Sequence, residues 1–176
     1  MLPARPALGA TEQPPEAERH LYTEGYLTDL LTVRLGGRAA ELVVFDEGST
    51  GAADDLAGAT QIAGRMVSEF GLSPTLGPIG YAVGAPHYVG SESAEEAVRR
   101  PYSEHTQRIV DEETARLVGQ AEKRAVALLR DHRAELDTLA ELLVARETVD
   151  GSVVLDVLRR QRTAHEGVPP TATGAR

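Results

Sequence analysis

A mainly α-helical bundle is the fold these residues predict, and three observations carry that expectation. Apolar residues recur three and four positions apart over long stretches, the spacing that lines one face of a helix. Aromatic residues make up only 4% of the chain and tryptophan is absent, so a core must be built from Leu, Val, Ile and Ala. That palette suits helix-on-helix packing better than a sandwich of sheets. Runs with β character, such as "IGYAV" and "HYVG", are brief and lie in a segment rich in Gly, Pro and Ser. With 176 residues, 41% of them hydrophobic, the chain is expected to form one domain with loose ends.

Residues 1–20 carry four prolines and little periodicity, so an extended or disordered arm is expected there, with at most a short strand around Ala7–Thr11. From Tyr22 a helical stripe takes over through Leu27, Leu30, Leu31, Leu35, Ala39, Leu42 and Val43. Gly36-Gly37 interrupts it. Adjacent glycines inside a helix cost about 1 kcal/mol each relative to alanine. They either break the helix or admit a close neighbour, and spacing does not choose between the two. Ser49-Thr50 reads as the N-cap of a second helix reaching Phe70, with Leu56, Ala59, Ala63, Met66, Val67 and Phe70 as its apolar stripe. Gly71 suits the position just past its end, and Pro74 and Pro78 prevent it from resuming.

Leu72 to Pro101 reads as a loop, and residues 82–101 are expected to be mobile and cleaved early by trypsin at Arg99 or Arg100. The longest periodic segment runs from Ser103 to Arg130, through Ile109, Val110, Thr114, Leu117, Val118, Ala121, Ala125, Leu128 and Leu129. Two shorter helices follow, Arg133–Arg146 and Gly151–Arg162, joined by a "VDG" turn that offers a cap. The tail, 163–176, has no core-forming pattern and is expected to be disordered. The helical core is thus placed at 21–162, a bundle of about five helices.

Composition excludes several functions. A formal charge of −9, with Lys123 the only lysine, argues against nonspecific binding to nucleic acid or an anionic membrane surface. Without cysteine there is no disulfide, no thiolate chemistry and no Cys-type zinc site, which fits a reducing compartment. No apolar run approaches the roughly 18 residues of a membrane-spanning helix, and no signal-peptide pattern opens the chain. His20, His87, His105, His132 and His165 include no two that are four apart, so no helix presents a histidine pair; His105 and His132 are expected to be solvated. Neither a G-x-x-x-x-G-K-[ST] phosphate cradle nor a G-x-S-x-G nucleophile elbow occurs.

What remains is "STGAADDLAGAT", Ser49 to Thr60, with Asp54 and Asp55 side by side in the first turn of a helix. Carboxylates there are favoured by the helix dipole, so capping accounts for both. Capping does not account for Gly51-Ala52-Ala53, small residues that would let another element approach the carboxylates closely.

The same stretch carries a resemblance. "LGGRAAELVVF", then "STGAADDLAGATQIAGRMVSEFGLSPTLGPIGY", then "YSEHTQRIVDEETARLVGQAEKRAVALLRDHRAELDTLAELLVARETVDG" are similar to the peptidase domain of FtsH-type ATP-dependent zinc metalloproteases. "LPARPALGAT" resembles that family's hairpin segment, with Pro6 where arginine is usual. The resemblance covers roughly residues 2–160, and its T-G-A-x-x-D-[LI]-x-x-A-T block is its most specific part. It implies that Asp55 is a zinc ligand, while Asp54 occupies a position that is commonly asparagine. In the intact family the other ligands are two histidines of an H-E-x-x-H helix, whose glutamate serves as general base. The family is hexameric, uses ATP through a separate ATPase module, and degrades unfolded membrane and cytosolic proteins on the cytoplasmic side of the membrane.

The departure from the family pattern is large: H-E-x-x-H is absent from these 176 residues. A catalytic zinc needs about three protein ligands and a water, so the chain alone holds no catalytic residue of that motif and is expected neither to retain zinc nor to hydrolyse peptides. Two readings follow. The chain is the C-terminal portion of such a peptidase, contributing Asp55; or it is a non-catalytic helical module for oligomerisation or partner binding derived from that family.

Overall fold

The computed structural model describes residues 21–81 and 102–166, with side chains described as far as Arg159. The expected arm at 1–20, the loop at 82–101 with Arg99 and Arg100, and residues 167–176 of the tail lie outside the described residues. The architecture is mainly helical, as the apolar spacing predicts. Helices α1 (Glu24–Arg34), α2 (Gly36–Phe45), α3 (Ala53–Ser68), α4 (Glu104–Asp131), α5 (Arg133–Arg146) and α6 (Gly151–Glu166) follow one another, with a 3-10 turn at Thr50–Ala52 before α3.

The helix expected from Tyr22 to Val43 is divided at Leu35, which ends α1 and begins α2. This is why six helices appear where about five were expected. A Cβ built on Gly36 or Gly37 would meet nothing within 4 Å, so the glycine pair marks a break and not a close approach. Thr23 caps α1 by accepting from the Tyr26 N–H, and α2 closes on Asp46 in the left-handed region (φ 58°).

α3 ends at Ser68, two residues short of the expected Phe70. Phe70 accordingly leaves the apolar stripe: it is 45% exposed and lies beneath the Arg65 guanidinium, 5.0 Å from its ring centroid. Gly71 takes φ +64°, as expected of a residue past a helix end, and a Cβ there would sit 3.2 Å from the Pro78 Cα. Ile79 to Tyr81, the described part of "IGYAV", form no strand; the bridge Ser73–Gly77 is the sole β pairing among the described residues. Tyr81 and Tyr102 meet edge to face, with centroids 4.8 Å apart.

α4 is the axis of the bundle. Ser103 caps it by accepting from the Thr106 N–H, and its 28 residues extend about 42 Å. It packs on α1, α2 and α3, around a core of Leu27, Leu31, Leu35, Ala59, Ala63, Met66 and Ala121. Leu128, expected on its apolar stripe, is 46% exposed, while Ala125 on the same stripe is buried. α5 and α6 pack on each other, and α5 touches the end of α4. Asp150 caps α6 through the Ser152 N–H, as the "VDG" pattern predicts. α6 runs to Glu166, four residues beyond the expected Arg162, so the boundary of the tail moves by one helical turn.

Three cross-links fix α1 and α2 against their neighbours. Asp29 of α1 pairs with Arg124 of α4 at 2.6 Å, and Arg38 of α2 with Glu122 of α4 at 2.6 Å. Arg133, opening α5, donates to the Val43 carbonyl at 2.9 Å, which satisfies one of the free carbonyls at the end of α2.

Candidate functional site

Asp54 and Asp55 occupy the first turn of α3, as the sequence places them, and both are exposed. Among the described residues neither makes a hydrogen bond or ion pair, and Ala52, the N-cap of α3, gives the helix no side-chain cap. Capping in the strict sense, a carboxylate accepting a backbone N–H, is therefore not their role. The helix dipole still favours negative charge here. Two carboxylates are thus left with their oxygens available.

The turn that delivers them is tightly held. Ser49 accepts from the Gly51 N–H at 3.0 Å, the N-cap bond expected of it, although it opens the 3-10 turn and not α3 itself. Glu41 of α2 grips the same serine with both oxygens, accepting from its N–H at 2.8 Å and from its hydroxyl at 2.5 Å. The Ser49 hydroxyl, then the Ser49 N–H, and the nearby Arg38 charge hold the Glu41 carboxyl below its usual range. A Cβ on Gly51 would lie 3.1 Å from the Ser49 Oγ and 3.8 Å from the Glu41 Oε1. At Gly51 the neighbouring element is thus α2, in ordinary van der Waals contact through Glu41. Farther along α3, a Cβ on Gly58 would fall 2.5 Å from an Arg34 nitrogen, so the glycine leaves space for that guanidinium.

The histidines do not converge on this turn. His105 is exposed near the start of α4. His132, expected to be solvated, is half exposed but has a partner: its Nδ1 lies 3.2 Å from Glu135 Oε1 at the α4–α5 junction. His20 and His87 lie outside the described residues, as does the side chain of His165. Among the described residues no three His, Asp or Glu side chains form a group able to hold a metal ion. Asp55 suits a zinc site as a single donor: it is an accessible carboxylate with no competing partner among the described residues, on a turn held by Ser49 and Glu41. A complete site needs about two further protein ligands from elsewhere.

Periodicity could not reveal a second polar clamp, at the other end of α3. Ser73 donates to Glu113 Oε2 at 3.0 Å and accepts from the Leu76 N–H at 3.2 Å. Arg116 grips the same carboxylate twice, at 2.9 and 3.0 Å. Ser73 and Glu113 are both buried. The Arg116 hydrogen bonds, foremost, with Ser73 and Thr75 behind them, outweigh burial and hold the Glu113 carboxyl below its usual range, and Glu113 in turn raises Arg116. The one signal in the sequence is a Glu three residues before an Arg on a helix face, which usually means an exposed surface pair.

Residues 1–157 match the family model described as Peptidase family M41. The chain is 52% identical over 160 residues to the ATP-dependent zinc metalloprotease FtsH of Acidothermus cellulolyticus, covering 91% of the chain and 24% of that protein. It is 46% identical over 154 residues to the protein of the same name from Acidimicrobium ferrooxidans, covering 88% of the chain and 23% of the relative. With FtsH 4 of Sphaerobacter thermophilus it shares 40% identity over 176 residues, 99% of the chain and 25% of the relative. The chain spans about a quarter of the length of these curated relatives.

Proposed function

Since the chain belongs to peptidase family M41, the FtsH-type zinc metalloproteases, we propose that it supplies one zinc ligand, Asp55, to the peptidase centre of a longer polypeptide. The observation that supports this most is the Asp55 carboxylate, unengaged among the described residues, on a turn that Glu41 and Ser49 hold in place. Asp55 occupies the aspartate position of the T-G-A-x-x-D block, and Asp54 is its neighbour. The two histidines and the general-base glutamate belong to an H-E-x-x-H motif that these 176 residues do not contain. Zinc, when bound, supplies Lewis-acid polarisation of the scissile carbonyl and activation of water.

The part played by the chain's own residues is to bind and orient. Asp55 contributes a negatively charged oxygen donor, which suits zinc as the partner of two imidazoles. Glu41, Ser49 and Gly51 fix the backbone before it, so that binding requires little reordering. The buried core of α1, α3 and α4 holds α3 at a set height in the bundle.

In the whole protein we place the reaction as ATP-dependent endoproteolysis of unfolded membrane and cytosolic proteins, within a homo-hexamer, on the cytoplasmic face of the membrane. ATP is used by a separate module. No helix among the described residues is long and apolar enough to cross a membrane.

A chimera tests the reading. This chain replaces the matched residues of the Acidothermus cellulolyticus protein, the rest of which is left in place. The chimera is expected to degrade an unfolded protein substrate with ATP and to lose that activity with a zinc chelator. A folded, ATP-hydrolysing chimera with no proteolysis would contradict it.

A further inference from the structure

Both oxygens of Glu41 are spent on one residue, Ser49, eight positions later and just ahead of the turn into α3. Ser49 passes the restraint on, because its Oγ also accepts the Gly51 N–H. The 3-10 turn Thr50–Ala52 therefore has its cap, Ser49, tied to α2 and its second residue, Gly51, tied to that cap. α3 follows directly at Ala53 and has no side-chain cap of its own. The orientation of its first turn, with Asp54 and Asp55, is inherited from the 3-10 turn.

The anchor itself is firm. Arg38, one helical turn before Glu41, reaches Glu122 of α4 at 2.6 Å. The same guanidinium fills the space beside Gly48, where a Cβ would come within 2.5 Å of it. Ala52, in the middle of this path, is buried. By contrast, the Glu41–Ser49 pair is accessible to water, where ion and hydrogen-bond contacts add little to global stability. A grip that adds little to stability but fixes a backbone register acts on geometry.

We propose that Glu41 is a positioning residue: through Ser49 it holds the Thr50–Ala52 turn, and with it the Asp55 carboxylate, in the place where metal binding needs it. This rests on the Asp55 reading above. Glu41 is not itself a ligand, since its oxygens are occupied by Ser49. Groups that hold a metal ligand in place are worth about 10- to 100-fold in metal affinity or activity, and misplacement by about 1 Å can cost as much.

The test uses two preparations and three substitutions. In the 176-residue chain, Glu41→Ala is expected to speed amide exchange at Ser49 and Gly51 by at least about tenfold, while α4 keeps its protection. In the chimera the same substitution is expected to weaken zinc about 10- to 100-fold and to lower kcat with KM unchanged. Glu41→Gln, which keeps one acceptor oxygen, is expected to fall between the two. Asp55→Asn is expected to leave amide exchange at Ser49 and Gly51 unchanged and to remove the zinc. Unchanged exchange in Glu41→Ala, or faster exchange with zinc affinity intact, would overturn the positioning role and leave the Asp55 reading standing. If Asp55→Asn keeps its zinc, the Asp55 reading itself fails, and the inference fails with it.

Discussion

At each end of α3 a neighbouring helix lends a carboxylate to a serine in the adjoining loop. Glu41 of α2 holds Ser49 ahead of the helix, and Glu113 of α4 holds Ser73 after it. The first grip is open to water, and none of the described residues competes for the aspartates beyond it. The second is buried, shared with Arg116, and closes the Ser73–Gly77 turn onto α4. A buried carboxylate that loses its partners leaves unsatisfied groups, whereas an exposed one is rehydrated. The same chemical device is therefore a stability element at one end of the helix and a geometric one at the other.

The contrast is most easily broken at the buried end. Glu113→Ala should strand the Ser73 hydroxyl and unpair Arg116, destabilising the chain by about 2–3 kcal/mol in urea unfolding. Arg116 keeps some contact with water, which holds the cost below that of a fully buried pair. The folded-state pKa of Glu113 is depressed, so its contribution is complete above the ordinary carboxylate pKa and is lost as pH falls through the folded value. Wild-type stability should therefore fall below about pH 4.3, and Glu113→Gln should flatten part of that fall. An unchanged pH profile in the variant would show that other carboxylates carry it.

Next in size is Gly71→Ala, at the same end. The left-handed backbone and the nearby Pro78 leave no place for a methyl group, so a loss of about 1–2 kcal/mol is expected. A smaller loss would mean that the loop after α3 shifts readily. The smallest effect has the opposite sign: Gly37→Ala lies inside α2 with open space around it, and a gain of about 0.5–1 kcal/mol is expected. Destabilisation there would restore the close-approach reading of the glycine pair.

Much of this molecule could be read from its sequence, for reasons that also mark where reading stops. α4 follows from the spacing of its apolar residues, and Ser103 and Asp150 mark the starts of α4 and α6 because capping is local chemistry. Periodicity overruns the end of α3 because Phe70 continues the helical period, while the backbone has already left the helix at Ser68. Leu35 ends α1 and opens α2 just before the glycine pair, and the apolar period continues across that break without marking it. Neither clamp is legible in the sequence, since Glu41–Ser49 and Glu113–Ser73 are contacts of tertiary structure with no fixed spacing. For the site, charge and position leave Asp54 and Asp55 equivalent: both are exposed and in the same turn. Only the family pattern separates them, and it is that separation on which the functional account depends.

Zinc content of the chimera carrying Asp55→Asn, set beside Asp54→Asn, tests it most directly. Asparagine keeps the shape of aspartate but lacks the charge that holds a metal. The account predicts about one zinc per protomer in Asp54→Asn, with proteolysis intact. It predicts loss of zinc and of proteolysis in Asp55→Asn, with ATP hydrolysis retained. Zinc lost from Asp54→Asn and kept in Asp55→Asn would contradict it.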